Sequence, residues 1–291
     1  MHMVVFKNTL LLFVTIPLIL ILGGCQTTDT HDYIVQKGDS ASLNRSGIEN
    51  LNTQNYEKAA KSFKKSLELD PENYEARFGL AESQIKLQEY EQALMNFQML
   101  VPVPAYKAIS LQEIGLLELR RRNFDVAQEY LELALESDRN LWRTWNGLAQ
   151  INAYQYNWEA TDRFYENALD TAAGQQHVIY NNMGVSYLAR GNKEDAIVAF
   201  NSALNYAPEL DIVKTNYKLA LATLSRYDEA TIESDVHSRA KALNNVGYAA
   251  MLQGDYEEAE RLLLKSIEVS PNFYKTPYRN LQILHQLMHD E

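Results

Sequence analysis

One short phrase recurs seven times along the chain, and its spacing limits the fold more than any other feature. The copies are QNYEKA (54–59), QEYEQA (88–93), RNFDVA (122–127), YNWEAT (156–161), GNKEDA (191–196), SRYDEA (225–230) and GDYEEA (254–259). They are separated by 34, 34, 34, 35, 34 and 29 residues. A fixed period of this size belongs to a solenoid, in which each unit is too small to bury its apolar face alone and stacks on its neighbours instead.

The columns of the phrase have physical meanings. Its second position is Asn55, Asn123, Asn157, Asn192 or Asp255 in five of the seven copies, side chains that can accept bonds from the free N–H groups opening a helix. Two positions on, every copy is acidic (Glu57, Glu91, Asp125, Glu159, Glu194, Asp228, Glu257), which suits the positive end of a helix dipole. These carboxylates read as helix starters, not as catalytic groups. Between cap and acid stands an aromatic ring in six copies, Tyr56, Tyr90, Phe124, Trp158, Tyr227 and Tyr256, placed to wedge between successive helix pairs. The phrase closes on alanine in six copies and on Thr161 in the fourth.

Extended backwards, each copy continues into a helix A with a small residue at Gly47, Ala81, Gly115, Ala149, Gly184 or Gly247. Extended forwards, it continues into a helix B whose buried face holds Phe63, Phe97, Leu131, Tyr165, Phe200 or Leu263, and Pro71, Pro208 and Pro271 close three of these helices. This pattern resembles the tetratricopeptide repeat. The resemblance implies an all-α fold, a right-handed solenoid of about seven helix–turn–helix units over residues 40–273. The units start near residues 40, 74, 108, 142, 177, 211 and 240, and residues 274–291 form a capping helix and tail. Two departures could bend the stack: VPVPAY (101–106), whose prolines shorten the second helix B, and the short sixth unit (211–239) with its unpatterned TIESDVHS (231–238).

The N-terminus is written differently. Residues 9–22 are almost wholly apolar and lead into LGGCQTT (22–28), the layout of a secretory signal. The run is too short to span a bilayer comfortably and contains Pro17, although an uncleaved anchor is the alternative. Leu22-Gly23-Gly24-Cys25 resembles the bacterial lipobox, so residues 1–24 are expected to be removed and Cys25, the single cysteine, to be lipidated. Two or more acyl chains give stable attachment. By resemblance to lipoproteins generally, Gln26 in the next position implies the outer membrane, with the chain on the periplasmic face. Cys25 to Asp39 is polar and reads as a flexible tether. Within it YIVQKGDS (33–40) resembles the opening of a LysM module, but residues from Ser40 already belong to the first repeat and leave no room for the rest.

The formal charge of −11 and scattered Lys and Arg argue against nucleic acid as a partner. No phosphate loop, nucleophile elbow or zinc-protease motif is present, so no enzyme, cofactor or small-molecule substrate is expected. His285 and His289 stand four apart on the last helix without a third ligand, and read as solvated side chains, not a metal site. What remains is recognition of protein. In tetratricopeptide stacks helix A lines a concave face where an extended peptide or a helix lies. By phase, Asn146, Asn181, Asn182, Asn244 and Asn245 fall on or beside that face, with Val185, Leu188, Tyr248 and Met251. The family's clamp for a free C-terminal carboxylate is incomplete.

LNNVGYAAMLQGDYEEAERLLLKSIEVSPNFY (243–274), followed by RNL (279–281), is similar to the last repeat of the TadD family of tight-adherence (Flp) pilus lipoproteins. The resemblance implies a pilotin-like assembly factor that binds a secretin subunit or another pilus component and carries it to the outer membrane. The competing reading is a general envelope scaffold or adaptor that recruits a protease or a cell-wall enzyme.

Overall fold

The computed structural model describes residues 28–290 except 234 and 273, with side chains from residue 37 and none at 290. The signal segment and Cys25 lie outside the described residues. Helix A of the successive units is α1 (Thr28–Asn52), α3 (Tyr74–Lys86), α5 (Lys107–Arg120), α7 (Trp142–Tyr154), α9 (Gln176–Ala189), α11 (Asp211–Thr223) and α13 (Val236–Leu252). Helix B is α2 (Tyr56–Leu69), α4 (Tyr90–Leu100), α6 (Phe124–Ser137), α8 (Trp158–Thr171), α10 (Lys193–Tyr206), α12 (Tyr227–Ala230) and α14 (Tyr256–Val269), and α15 (Lys275–Asp290) ends the stack. Among the described residues no helix is long and apolar enough to cross a membrane.

The phrase that repeats in the sequence is one backbone motif. Its first residue is left-handed in all seven copies: Gln54, Gln88, Arg122, Tyr156 and Ser225 have φ between 56° and 64°, and Gly191 and Gly254 have φ of 84° and 81°. The N–H of that residue bonds three residues back, as Gln54 does to Leu51 O at 3.0 Å, and the next N–H bonds five back, as Asn55 does to Asn50 O at 2.8 Å. The same pair of bonds recurs at every turn through Gly254 and Asp255. This is the Schellman closure of helix A, and the residue that completes it is also the first residue outside helix B. Left-handed backbone costs a non-glycine residue about 1–2 kcal/mol, and glycine gives back roughly half of that in chain entropy. Gln88→Gly and Ser225→Gly are therefore each expected to stabilise the chain by about 0.5–1 kcal/mol, read from urea midpoints.

The cap column corrects an expectation. Asn55, Asn123, Asn157, Asn192 and Asp255 do precede helix B, yet none of their side chains caps it. Their ψ values of 67–76° are close to the 80° of Asn73, which does cap α3, so the difference lies in the partners their side chains find. They bond backwards or sideways instead: Asn123 Nδ2 donates to Glu118 Oε2 at 2.7 Å, Asn157 Nδ2 to Asn152 Oδ1 at 3.1 Å, and Asp255 Oδ2 accepts from the Tyr227 hydroxyl at 3.0 Å. In a two-residue turn that serves as both a helix C-terminus and a helix N-terminus, polar groups of the closing helix, such as Glu118 and Asn152, compete for the side chain. Side-chain caps occur where helix A opens, at Asn73 over Ala76 N and Asp235 over Ser238 N.

Packing within a unit matches small against large. A Cβ on Gly47 would lie 2.5 Å from Phe63, one on Gly184 2.5 Å from Phe200, and one on Gly115 2.7 Å from Leu131, and each of those large side chains is fully buried. Ala81 and Ala149 fill the same column opposite Phe97 and Tyr165 and are equally buried. The aromatic ring that opens helix B reaches the end of the next helix A. Tyr90 accepts a bond from Arg120 Nη1 at 2.9 Å, Phe124 stacks on Tyr154 at 5.1 Å, and Trp158 lies 5.6 Å from the Arg190 guanidinium. Arg190 is clamped further by both oxygens of Asp162 and by the Tyr187 ring at 4.4 Å.

Three places depart from this pattern. The stretch expected as a tether is helical from Thr28, because α1 runs back beyond the first packed residue, Ser40; once a helix is nucleated by packing, each added turn costs little. In the second unit α4 has 11 residues where the other full-length helices B have 14. Pro102 and Pro104 end it at Leu100, and the backbones of α3 and α5 stand apart, whereas those of α5, α7, α9, α11 and α13 each approach the next. In the sixth unit helix B is the single turn α12. The small-residue column is occupied there by Lys218, 34 residues after Gly184 and 29 before Gly247. A lysine at that place leaves no flat surface for a helix B ring, and its ammonium instead pairs with Glu233 in the segment after α12. At the C-terminus α15 seals the stack: Leu284 is fully buried in one apolar cluster with Leu262, Leu263 and Met251.

Candidate functional site

Because from α5 to α13 each helix A lies beside the next, one stripe of each forms a continuous surface. On α7 the stripe is Arg143, Asn146, Gln150 and Tyr154, and on α9 it is Val178, Asn182, Val185 and Ala189, both at helical spacing. A cavity of about 430 Å³ opens between α5, α7 and α9, walled by Leu116, Leu119, Arg120, Arg122, Trp142, Arg143, Asn146, Gln150, Tyr154 and Val178. A second, of about 150 Å³, adjoins it across Gln150 and Tyr154 and is lined by Ala153, Tyr165, Asn182, Val185, Ser186 and Ala189. A third, of about 240 Å³, lies between α11 and α13 and includes Lys214, Lys218, Lys241 and Asn245.

The asparagines form cross-links between helices. Asn182 Nδ2 donates to Asn146 Oδ1 at 3.0 Å, Asn181 Nδ2 to Asn182 Oδ1 at 3.4 Å, and Asn216 Nδ2 to Asn181 Oδ1 at 2.8 Å, a ladder across α7, α9 and α11. A second ladder runs from Asn280 on α15 to Asn244 Oδ1 at 2.9 Å and from Asn244 Nδ2 to Asn245 Oδ1 at 3.2 Å. Asn146 and Asn244 are 7% and 3% exposed, so they hold the face together and present little of themselves. Asn181, Asn182 and Asn245 are half-buried. Val185 and Tyr248 are open, at 48% and 40% exposure, while Leu188 is half-buried against the Phe200 cluster. Met251 is a correction: at 3% exposure it belongs to the core with Leu262, Leu263 and Leu284 and is no part of a groove. Its helix carries the end of the stack, where α15 lies against both α13 and α14.

The most exposed polar groups of the surface went unread in the sequence. Arg120, Arg122 and Arg143 are all exposed around the first cavity, and no carboxylate lines it. Arg120 is held by the Tyr90 hydroxyl and ring, and Arg122 lies 5.6 Å from the Tyr154 ring. Arg143 is paired with Glu113 on α5. Behind it, burial first and the Glu113 carboxylate second push the Glu82 carboxyl above its ordinary value, against the pull of Arg143 and Lys86. The signal was present: Arg143 stands one helical turn before Asn146 on the stripe already singled out. His285 on α15 contacts Glu260 at 2.8 Å.

Models of the tetratricopeptide repeat match residues 51–95, 177–210 and 240–273. The chain is a tetratricopeptide-repeat solenoid. It is similar to TTC0263, a tetratricopeptide protein of Thermus thermophilus, at 21% identity and a TM-score of 0.53, over 62% of this chain and 98% of that one. It is similar to a tetratricopeptide repeat protein of Parabacteroides merdae at 13% identity and a TM-score of 0.58, over 85% and 99% of the two chains. Yeast Tom70 aligns at 15% identity and a TM-score of 0.54, over 90% of this chain and 56% of that one. At these identities the likeness is one of fold. No curated protein matches the sequence. Tetratricopeptide arrays are scaffolds for protein–protein interaction, and the helix A stripes of this one form a grooved surface.

Proposed function

We propose that this tetratricopeptide solenoid is a lipid-anchored assembly factor of the bacterial envelope, which takes an extended segment of a partner protein along the α5–α7–α9 groove. The observation that carries the binding role is the pair of adjoining cavities on three consecutive helices A, sharing Gln150 and Tyr154. The anchor rests on the lipobox ending at Cys25, and the partner class rests on the similarity of residues 243–274 to the TadD family. On this reading the segment belongs to the secretin of a tight-adherence pilus or to another of its assembly components. The protein works from the periplasmic face of the outer membrane as a pilotin does, by binding the subunit and delivering it to the membrane through its own lipid.

Deletion of the gene is the direct test. Loss of secretin multimers and surface pili, restored by the wild-type chain and not by a soluble Cys25→Ser chain, is the expected result. Normal multimers and piliation in the deletion strain would discard the pilotin role. A Cys25→Ser chain that remains in the membrane fraction would mean that residues 9–22 are an uncleaved anchor.

A further inference from the structure

The two adjoining cavities differ in chemistry, and the difference describes the ligand. The larger presents Arg120 and Arg122 without a carboxylate partner among the described residues, each guanidinium steadied by a tyrosine ring. Steadied guanidinium groups lose less freedom on binding than free ones and offer a planar fork to a carboxylate. They stand out in a chain of formal charge −11, so they mark where an acidic segment would be drawn in. The smaller cavity is walled chiefly by Ala153, Tyr154, Val185 and Ala189, and its volume of about 150 Å³ is that of a site able to hold a benzene-sized group.

Arg122 lies 5.6 Å from the ring of Tyr154, which lines both cavities, so the two subsites are about one helix spacing of 8–10 Å apart, and an extended chain advances about 3.3 Å per residue. From these observations we infer that the segment bound along this groove carries an aspartate or glutamate for Arg120 and Arg122 and, about three residues away, a leucine- or phenylalanine-sized side chain for the pocket at Val185. The inference rests on the groove reading above and adds the composition of the ligand to it. Arg143 is not counted in the acidic subsite, because Glu113 already neutralises it.

The test uses the full chain purified in detergent and fluorescent probe peptides of about twelve residues, read by anisotropy. The reference probe has two adjacent glutamates and a leucine three residues on, in a glycine–serine background. Matched probes replace the glutamates by glutamine or by lysine, or the leucine by alanine. The reference probe is expected to bind, to weaken about fivefold to tenfold on either the glutamine or the alanine change, and to weaken steadily with added salt. The Arg120→Ala/Arg122→Ala chain is expected to lose the preference for glutamate while keeping that for leucine, and Val185→Arg is expected to abolish binding. Circular dichroism melts of both variants confirm that they are folded. Equal binding of glutamate, glutamine and lysine probes, all abolished by Val185→Arg, overturns the acidic subsite and leaves the groove intact. Probe binding that survives Val185→Arg, or no binding by any probe, overturns the inference; the first of these also removes the groove as the site.

Discussion

Phe200→Ala is expected to lower the free energy of unfolding by about 3–5 kcal/mol, the range for truncating a fully buried aromatic ring. Phe200 is 0% exposed and fills the space between its own helix A and the next, packed with Ala196, Ala203, Val213 and Ala220. The facing residue gives the complementary result. A Cβ on Gly184 would sit 2.5 Å from Phe200 Cε1 and 2.7 Å from Cδ1, and the ring it would push is fully buried. Alanine is better than glycine inside a helix by about 1 kcal/mol, so Gly184→Ala destabilises only if the clash outweighs that gain. Overpacking of a filled core costs about 1–3 kcal/mol, and net destabilisation is the expected outcome. Gly184→Ala combined with Phe200→Leu should cost less than the two changes separately, by at least about 0.5 kcal/mol, measured by urea denaturation. Strict additivity would show that the two residues do not share space.

Tyr227→Ala is expected to cost about 3–4 kcal/mol and to split unfolding into two steps, with α13–α15 melting apart from the rest. The other rings of its column are half-buried, and a full helix B behind each shares their duty. In the sixth unit helix B is one turn long, so Tyr227, 7% exposed, and Ala230 are what it contributes, beside Leu221 and Ala222 of α11, to the apolar cluster shared with α13 and α14. Tyr56→Ala, in the same column on a complete unit, should cost far less, about 1 kcal/mol. The hydroxyl adds a pH signature. Burial, reinforced by the bond to Asp255, raises the Tyr227 hydroxyl above its ordinary value of 10.0. A group whose folded value is raised contributes stability that is complete below the unfolded value and is lost as pH rises through the folded one. The junction is therefore expected to loosen under alkaline conditions in the wild-type chain, and Tyr227→Phe should lack that part of the alkaline loss. Differential scanning calorimetry at neutral and alkaline pH checks both statements.

Much of the fold was legible because it is local and periodic. The small column at Gly47, Ala81, Gly115, Ala149, Gly184 and Gly247 and the large column from Phe63 to Leu263 could be read without knowing where the helices lie, since each pair meets inside one hairpin. The cap column differs from the expectation because composition reports that asparagine favours a helix start but not which partner its side chain finds in a shared turn. The site was legible in part. Asn146, Asn182 and Val185 line the two adjoining cavities and Tyr248 is exposed outside them, whereas Met251 was assigned to the groove by phase alone and is covered by the end of the stack. Arg120 and Arg122 stand in a run of three arginines, 120–122, that a negative overall charge made easy to pass over; Arg143 joins them only when α5 and α7 are set side by side.

The amino-acid sequence alone determined the repeat length, the order of helices and the small-against-large pairing, because these depend on contacts within about one period of the chain. It also carried, in Lys218 at a position otherwise small, a mark of the unit whose helix B is a single turn. Only the tertiary structure decided that α3 and α5 part company, that the asparagines bond across helices, and that two cavities of opposite character meet at Tyr154. These features join residues some 30 to 70 positions apart, and their geometry depends on how each unit is set against the next, a quantity that no single repeat encodes.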